Sequence, residues 1–166
     1  MLTARRLRQV LDYNPRTGIF RWRIDKMGPG AKKGKIAGAT RRPRGNRAIK
    51  IDGEQYLSAR LAFLWMLGRF PKDQVDHRNR IPGDDRWSNL REATNAQNSA
   101  NKPKRTDGLK GVYWHKASRK YRAVICVNSK HVHLGLFDRE QDAHAAYRVA
   151  ARKYFGRFTC LLPGRS

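Results

Sequence analysis

Asp76 and His77 stand side by side in "QVDHRNR" (residues 74–80), and Asn89 and Asn98 follow. A carboxylate offers an anionic oxygen and an amide a neutral one. Asp76 and Asn98 therefore form an oxygen-donor set suited to Mg²⁺ (or Mn²⁺). Such hard ions take one or two protein groups and leave their other positions to water and phosphate. An imidazole with an unperturbed pKa of about 6.5 can accept a proton from water at neutral pH. Beside a metal-held phosphate, His77 is a candidate general base for phosphodiester hydrolysis. One ring nitrogen must take the proton, so the other is expected to donate to a carbonyl or an Asn. Asn89 is placed to tie the intervening loop down.

These side chains need a frame. "QVDH" reads as a strand, "RNRIPGDDRWS" as a turn region bending at Pro82-Gly83, and "NLREA" as a short returning strand. Thr94 with Gln97 makes a capping box, so "NAQNSAN" is expected to begin a helix carrying Asn98. The predicted unit over 73–101 is strand, loop, strand, helix, with its polar groups converging.

Charge frames this unit on both sides. The 166 residues hold 37 Lys and Arg against 13 Asp and Glu, a net charge of +24. Residues 1–72 are net +14, residues 102–166 net +11, and residues 73–101 net −1. Such an excess of cation points to a polyanionic partner. The basic residues are spread along the chain and interleaved with Trp, Tyr and His, unlike a membrane-surface helix. Nucleic acid is the expected partner and a membrane is not. The acidic island either collects carboxylates for a divalent cation or balances its four local arginines. Two cysteines without a C-x-x-C spacing exclude a Cys-rich site, so no structural zinc is expected, and they argue against a disulfide scaffold. No apolar run is long enough to span a bilayer, and "MLTARRLRQVL" lacks a signal core. A cytoplasmic location is expected.

The flanks read as follows. "TARRLRQVLDY" is a short helix with Thr3 as N-cap and Leu7, Val10 and Leu11 inward. "NPRTG" is a turn and "IFRWR" a strand. Residues 26–47, with Lys32, Lys33, Arg41, Arg42 and Arg44, read as a phosphate-following ribbon or a solvated loop. "RAIKIDGEQYLS" is a hairpin turning at Asp52-Gly53, after which Ser58 caps the helix "ARLAFLWMLGRF". The domain boundary is expected in the linker 102–110. Beyond it, "GVYWH", "YRAVICV" and "HVHLGLF" are three strands, with Tyr121, Ala123, Ile125 and Val127 on one face and Arg122, Val124 and Cys126 on the other. Asp138 with Gln141 is expected to cap a final helix whose inner stripe is Ala143, Ala146, Tyr147, Ala150 and Tyr154.

Residues 76–101, "DHRNRIPGDDRWSNLREATNAQNSAN", resemble the HNH nuclease motif of phage and intron-associated endonucleases, with Asn in the third signature position. The resemblance implies that Asp76 and Asn98 hold the metal, that His77 is the base and that Asn89 is the structural member of the catalytic set. Residues 8–23 and 56–71 also look like segments that precede the motif in phage members. Two positions depart from that pattern. Ala59 stands where His is frequent and Asp85 where Asn is frequent, and neither departure is expected to touch the base or the ligands. Residues 111–156 resemble the AP2 DNA-binding domain through "GV", the aromatic-rich strand, "LGLF" and the "DREQDAHAAYRVAARKYFG" helix. That resemblance implies a sheet in the major groove, with double-stranded DNA as the partner. Tyr113, His115, Arg122, His131 and His133 would face the DNA, with Lys116, Arg119, Lys120 and Lys130 around the turns. His131 and His133 could equally be polar sheet-surface residues.

The expected fold class is α+β. It comprises a basic N-terminal helix and hairpin region (1–72), a ββα-metal nuclease core (73–101), a linker (102–110) and an AP2-like sheet and helix domain (111–158). The expected function is a homing-type, phage-encoded, metal-dependent DNA endonuclease acting in the cytoplasm of a bacterial host, with a monomer favoured. The alternative is a non-cleaving, regulatory DNA-binding protein whose HNH-like unit is structural. An RNA-binding protein is a third reading.

Overall fold

The computed structural model describes residues 1–25, 31–40, 45–102 and 108–160. Its first unit, Met1–Glu92, opens with helix α1 (Ala4–Val10), capped by Thr3, whose hydroxyl accepts from the Arg6 N–H. The helix stops at Val10, one residue before the end of the inward-facing pattern. Leu11 is already extended, and Leu11–Asn14 form strand β1 against β2 (Ile19–Trp22). Leu11 and Tyr13 are buried while Asp12 and Asn14 are exposed, a period-two pattern that fits a strand. Cross-strand pairing overrides the helical reading here.

Strands β3 (Ala39–Thr40), β4 (Arg47–Ile51) and β5 (Glu54–Leu57) make a small antiparallel sheet. The β4–β5 turn has positive φ at both Asp52 (48°) and Gly53 (87°), the type I′ geometry that matches strand twist. Helix α2 (Ser58–Leu67) follows and ends at Gly68 in the left-handed region, as expected. Its N-cap is Leu57, with no side-chain cap bond. The expected cap, Ser58, is the first helical residue and is used elsewhere. Leu7, Phe20, Ile49, Ile51, Leu61 and their neighbours close one core beneath these elements. Strands β6 (Gln74–His77) and β7 (Leu90–Ala93) pair with each other, joined by a loop with a 3₁₀ turn at Trp87–Asn89.

The second unit, Ala93–Ser166, starts at the end of β7. Helix α3 (Asn95–Ala100) has the expected capping box, with Thr94 and Gln97 bonding reciprocally. The division between units therefore falls ahead of the 102–110 segment. Ala100 explains this. It is buried with Tyr147, Phe155 and Phe158, and its carbonyl accepts from the Cys160 N–H (3.1 Å) and the Lys110 ammonium (2.6 Å). Residues 103–107 of the expected linker lie outside the described residues.

Strands β8 (Val112–His115), β9 (Lys120–Val127) and β10 (Lys130–Phe137) form an antiparallel sheet in the order β10-β9-β8. Helix α4 (Glu140–Phe155) packs on its inner face, where Ala123 and Ile125 meet Ala143, Tyr147 and Ala151. Two expectations for this helix are corrected. Its N-cap is Arg139, without a side-chain cap bond, while Asp138 pairs with Lys120 (3.1 Å). Tyr154 is exposed, and Ala151 and Phe155 take its place in the buried stripe. A 3.6-residue period carries the stripe to Phe155, so the sequence reading was one position out of phase. The fold is mixed α and β, with small antiparallel sheets, as expected at that level.

Candidate active site

Neighbouring side chains on a strand point to opposite faces, and β6 uses this to separate two carboxylate-bound groups. Asp76, 3% exposed, is ion-paired with buried Arg91 on β7, the Arg91 Nε donating to Oδ2 at 2.7 Å. His77 meets Asp85 instead, with Nε2 2.8 Å from Oδ1. Asp85 is 2% exposed and comes from the loop between the strands.

Three elements distant in sequence fix Asp85. Ser58 at the start of α2, itself 1% exposed, bonds the second carboxylate oxygen through its hydroxyl. The Ser58 hydroxyl also lies 3.1 Å from the Arg47 carbonyl, but a single hydrogen favours the charged acceptor. Tyr13 on β1 donates its phenol to the Asp85 carbonyl at 2.7 Å. Burial, then the Asp85 charge, pushes that phenol's pKa upward, so it remains a donor. The β1–β2 turn presses against the same segment. The Trp87 N–H donates to the Pro15 carbonyl (2.9 Å), and Gly18 sits at φ 74° against the Asp85–Arg86 peptide. A Cβ on Gly18 would lie 2.3 Å from the Asp85 carbonyl carbon, so only glycine permits this approach. Trp87 also packs edge-on to Phe63 of α2, with centroids 4.9 Å apart.

The rest of the loop is held by Asn89. It is 7% exposed, its Oδ1 accepts from the Asn79 N–H (3.0 Å), and its Nδ2 donates to the Asp84 carbonyl (2.7 Å) and to Asn79 Oδ1 (2.9 Å). Its own carbonyl accepts from the Arg78 N–H (2.9 Å). These bonds are loop-tying ones. Asp84 is gripped by both forks of Arg86 (2.7 and 2.6 Å) and by Asn79 (2.6 Å). The Arg86 guanidinium first, with Asn79 assisting against a burial penalty, lowers the Asp84 carboxyl from 3.8 to about 2.

The acidic island is thus divided in its use. Asp76, Asp84 and Glu92 pair with Arg91, Arg86 and Arg69, which is charge balancing, whereas Asp85 pairs with His77. One sequence expectation is overturned here. Asp85 was expected not to touch the base, and its carboxylate is the group bonded to His77, where a carbonyl or Asn was expected. Ser58, Tyr13 and Gly18 were likewise not singled out for this site. The Asp in place of the frequent Asn was the available signal.

Asp76, His77 and Asn89 belong to the first unit, and Asn98 lies on α3 in the second. Among the described residues, no group of three or more His, Cys, Asp or Glu side chains is arranged to hold a metal. The expected donor set is smaller, one carboxylate and one amide, and its oxygens suit a hard divalent ion.

The candidate DNA-facing residues of the second unit lie on the outer face of its sheet. Tyr113 (53% exposed) pairs with Arg122, His131 with Cys126, and His133 with Val124 across the strands. Tyr113, Arg122, Cys126, His131 and His133 are exposed. Lys116, Arg119 and Lys130 are exposed at the turns. His115 is half-buried, its Nδ1 2.8 Å from the Ser118 hydroxyl, and Lys120 is paired with Asp138. In the first unit Lys32 and Lys33 are exposed, while Arg41, Arg42 and Arg44 lie outside the described residues. No helix among the described residues is long and apolar enough to cross a membrane.

Residues 56–100 match the family model described as HNH endonuclease. The match runs from β5 to the end of α3 and takes in Ser58, Asp76, His77, Asp85, Asn89 and Asn98. It supports a nuclease, acting on DNA, for that stretch. No curated protein and no solved structure matches the chain.

Proposed function

We propose that the protein is a divalent-metal-dependent DNA endonuclease that hydrolyses phosphodiester bonds, with His77 as general base. One observation carries this reading. Within the stretch matched to HNH endonucleases, the imidazole next to Asp76 is held by a buried carboxylate. Asp76 would be the anionic ligand for Mg²⁺ or Mn²⁺, and Asn98 is the second ligand the resemblance implies. When bound, such an ion neutralises charge on the phosphate and on the leaving oxygen. Asn89 keeps the loop in register, so that His77 and Asp85 stay in contact.

The second unit is the targeting module in this reading. Its exposed Tyr113, Arg122, His131 and His133 offer donors and an aromatic surface to a DNA groove, and its turn lysines and Arg119 meet phosphate. An AP2-like role, a homing habit and a phage origin are parts of the same proposal. Lys32 and Lys33 add phosphate contacts in the first unit, with Arg41, Arg42 and Arg44 continuing that run in sequence.

One observation favours the alternative, a DNA-binding protein with a structural HNH-like unit. The carboxylate proposed for the metal is already paired with a buried guanidinium, Arg91. Supercoiled plasmid incubated with Mg²⁺, Mn²⁺ or EDTA separates the two. Relaxed or linear product that requires the metal and is lost in His77→Ala supports the nuclease. Salt-sensitive binding without any product under either metal supports the alternative.

A further inference from the structure

The geometry points to Asp85 as a positioning residue that fixes the tautomer of His77 and makes Nδ1 the proton-accepting atom. This rests on the nuclease reading and goes beyond it by naming the atom and the group behind it. A carboxylate only accepts, so the nitrogen 2.8 Å from Asp85 Oδ1 carries the hydrogen, and that nitrogen is Nε2. A neutral imidazole has one N–H, which leaves the lone pair on Nδ1.

The carboxylate is itself held in place. Its second oxygen is bonded by the Ser58 hydroxyl, its backbone carbonyl by the Tyr13 phenol, and its peptide by the close approach of Gly18. Helix α2 carries no acidic residue in its first turn, and Asp85 brings a negative charge to the side chain of the helix's first residue. The cradle holds the acceptor for His77 independently of any DNA.

In hydrolysis, the water oxygen forms a bond to phosphorus. The bond from phosphorus to the leaving sugar oxygen breaks, and its electron pair goes to that oxygen. The water proton goes to His77 Nδ1, and the leaving oxygen takes a proton from solvent. The imidazolium keeps its Nε2–H on Asp85, and no proton moves to the carboxylate. His77 then returns its Nδ1 proton to solvent. Asp85 acts by orienting the ring and by stabilising the imidazolium that forms, as a buried carboxylate does behind other histidine bases.

The test uses the full-length protein in two arms. In the first, ¹⁵N NMR of the metal-free protein reads the tautomer of His77. The expected result is a dominant Nε2–H form, lost in Asp85→Leu; a melting curve checks that this variant folds. In the second, single-turnover cleavage of plasmid is measured for Asp85→Asn, which keeps the size and an acceptor oxygen but not the charge. The maximal rate is expected to fall about 10- to 100-fold, the range for groups that orient a functional histidine, with DNA affinity unchanged. In a His77→Ala background, Asp85→Asn should lower the residual rate no further, because it acts through the lost ring. An Nδ1–H form of His77, a wild-type rate in Asp85→Asn, or an equal further loss without His77 would each overturn the proposal. Absence of cleavage by the wild-type protein would overturn the nuclease reading instead, and the NMR arm would still decide the tautomer.

Discussion

Two polar surfaces of this chain are built in opposite ways. The His77–Asp85 pair in the first unit is largely buried, and side-chain hydrogen bonds lace Asp85 to two other segments, α2 through Ser58 and β1 through Tyr13. The outer face of β8–β10 in the second unit is open to solvent at Arg122, His131 and His133, all three exposed. The first arrangement suits chemistry, where a proton acceptor must be held within a fraction of an ångström of its working position. The second suits recognition, where long side chains find their partners only when the ligand arrives. The same residue types serve both. Two arginines make the contrast plain, since Arg91 spends its guanidinium on Asp76 inside the fold while Arg122 presents its own to solvent.

The largest effect expected is on cleavage. His77→Ala should lower the maximal rate by about 10²- to 10⁴-fold, the usual worth of a general base, with DNA affinity little changed and a lower melting temperature, because the buried Asp85 carboxylate loses a hydrogen-bond partner. Gel analysis of plasmid cleavage at saturating protein, with binding measured separately, checks this. Loss of binding in step with cleavage would break the division into a chemical and a recognising surface. Next in size is Arg91→Met. Removing one partner of a buried ion pair leaves Asp76 uncompensated, and stability should fall by about 3–5 kcal/mol. Urea denaturation measures it directly.

How much of this could be read from sequence follows from the range of each interaction. The strand 74–77, the loop, the returning strand and the capping box of Thr94 and Gln97 are as expected, because alternation and caps act within a few residues. The three strands of the second unit and their inner and outer faces are legible for the same reason. Leu11–Asn14 was not, since their strand state comes from pairing with Ile19–Trp22. Asp85 was not either. Its meaning depends on Ser58, 27 residues away, and Tyr13, 72 residues away, and no local pattern encodes contacts at that separation. His77 could be proposed as a base from its neighbours in sequence, but the group that holds it could not.

Arg122→Ala should act on the other surface alone. Loss of one exposed guanidinium that contacts a base edge or phosphate is expected to weaken DNA binding by about 1–3 kcal/mol. Stability should stay within about 0.5 kcal/mol, as for most surface substitutions. Fluorescence anisotropy at fixed salt gives the first and urea denaturation the second. Arg91→Met and Arg122→Ala should thus fail in different assays, one in folding and one in binding. A common failure would mean that the exposed face also supports the fold.

The smallest effect lies at the border between the two kinds of surface, where Asp84 is shielded but its partner Arg86 is exposed. The Arg86 guanidinium depresses the Asp84 carboxyl from 3.8 to about 2 in the folded protein. A depressed folded value means that the unfolded chain binds the proton first on acidification. The stability contributed by this pair is therefore complete above pH 3.8 and is lost as pH falls towards about 2. Glu92, lowered in the same direction by Arg69, adds to the acid loss, so the comparison must be a difference between variants. Urea denaturation of wild type and Arg86→Met at pH 6 and pH 2.5 isolates the Asp84 share. The gap between the two proteins should be widest at pH 6 and clearly smaller at pH 2.5, where Asp84 is already protonated in the unfolded chain and partly protonated in the fold, and high salt should shrink it because Arg86 faces solvent. A gap of undiminished size at pH 2.5 would assign the effect of Arg86 to packing, and would move this pair to the buried side of the contrast.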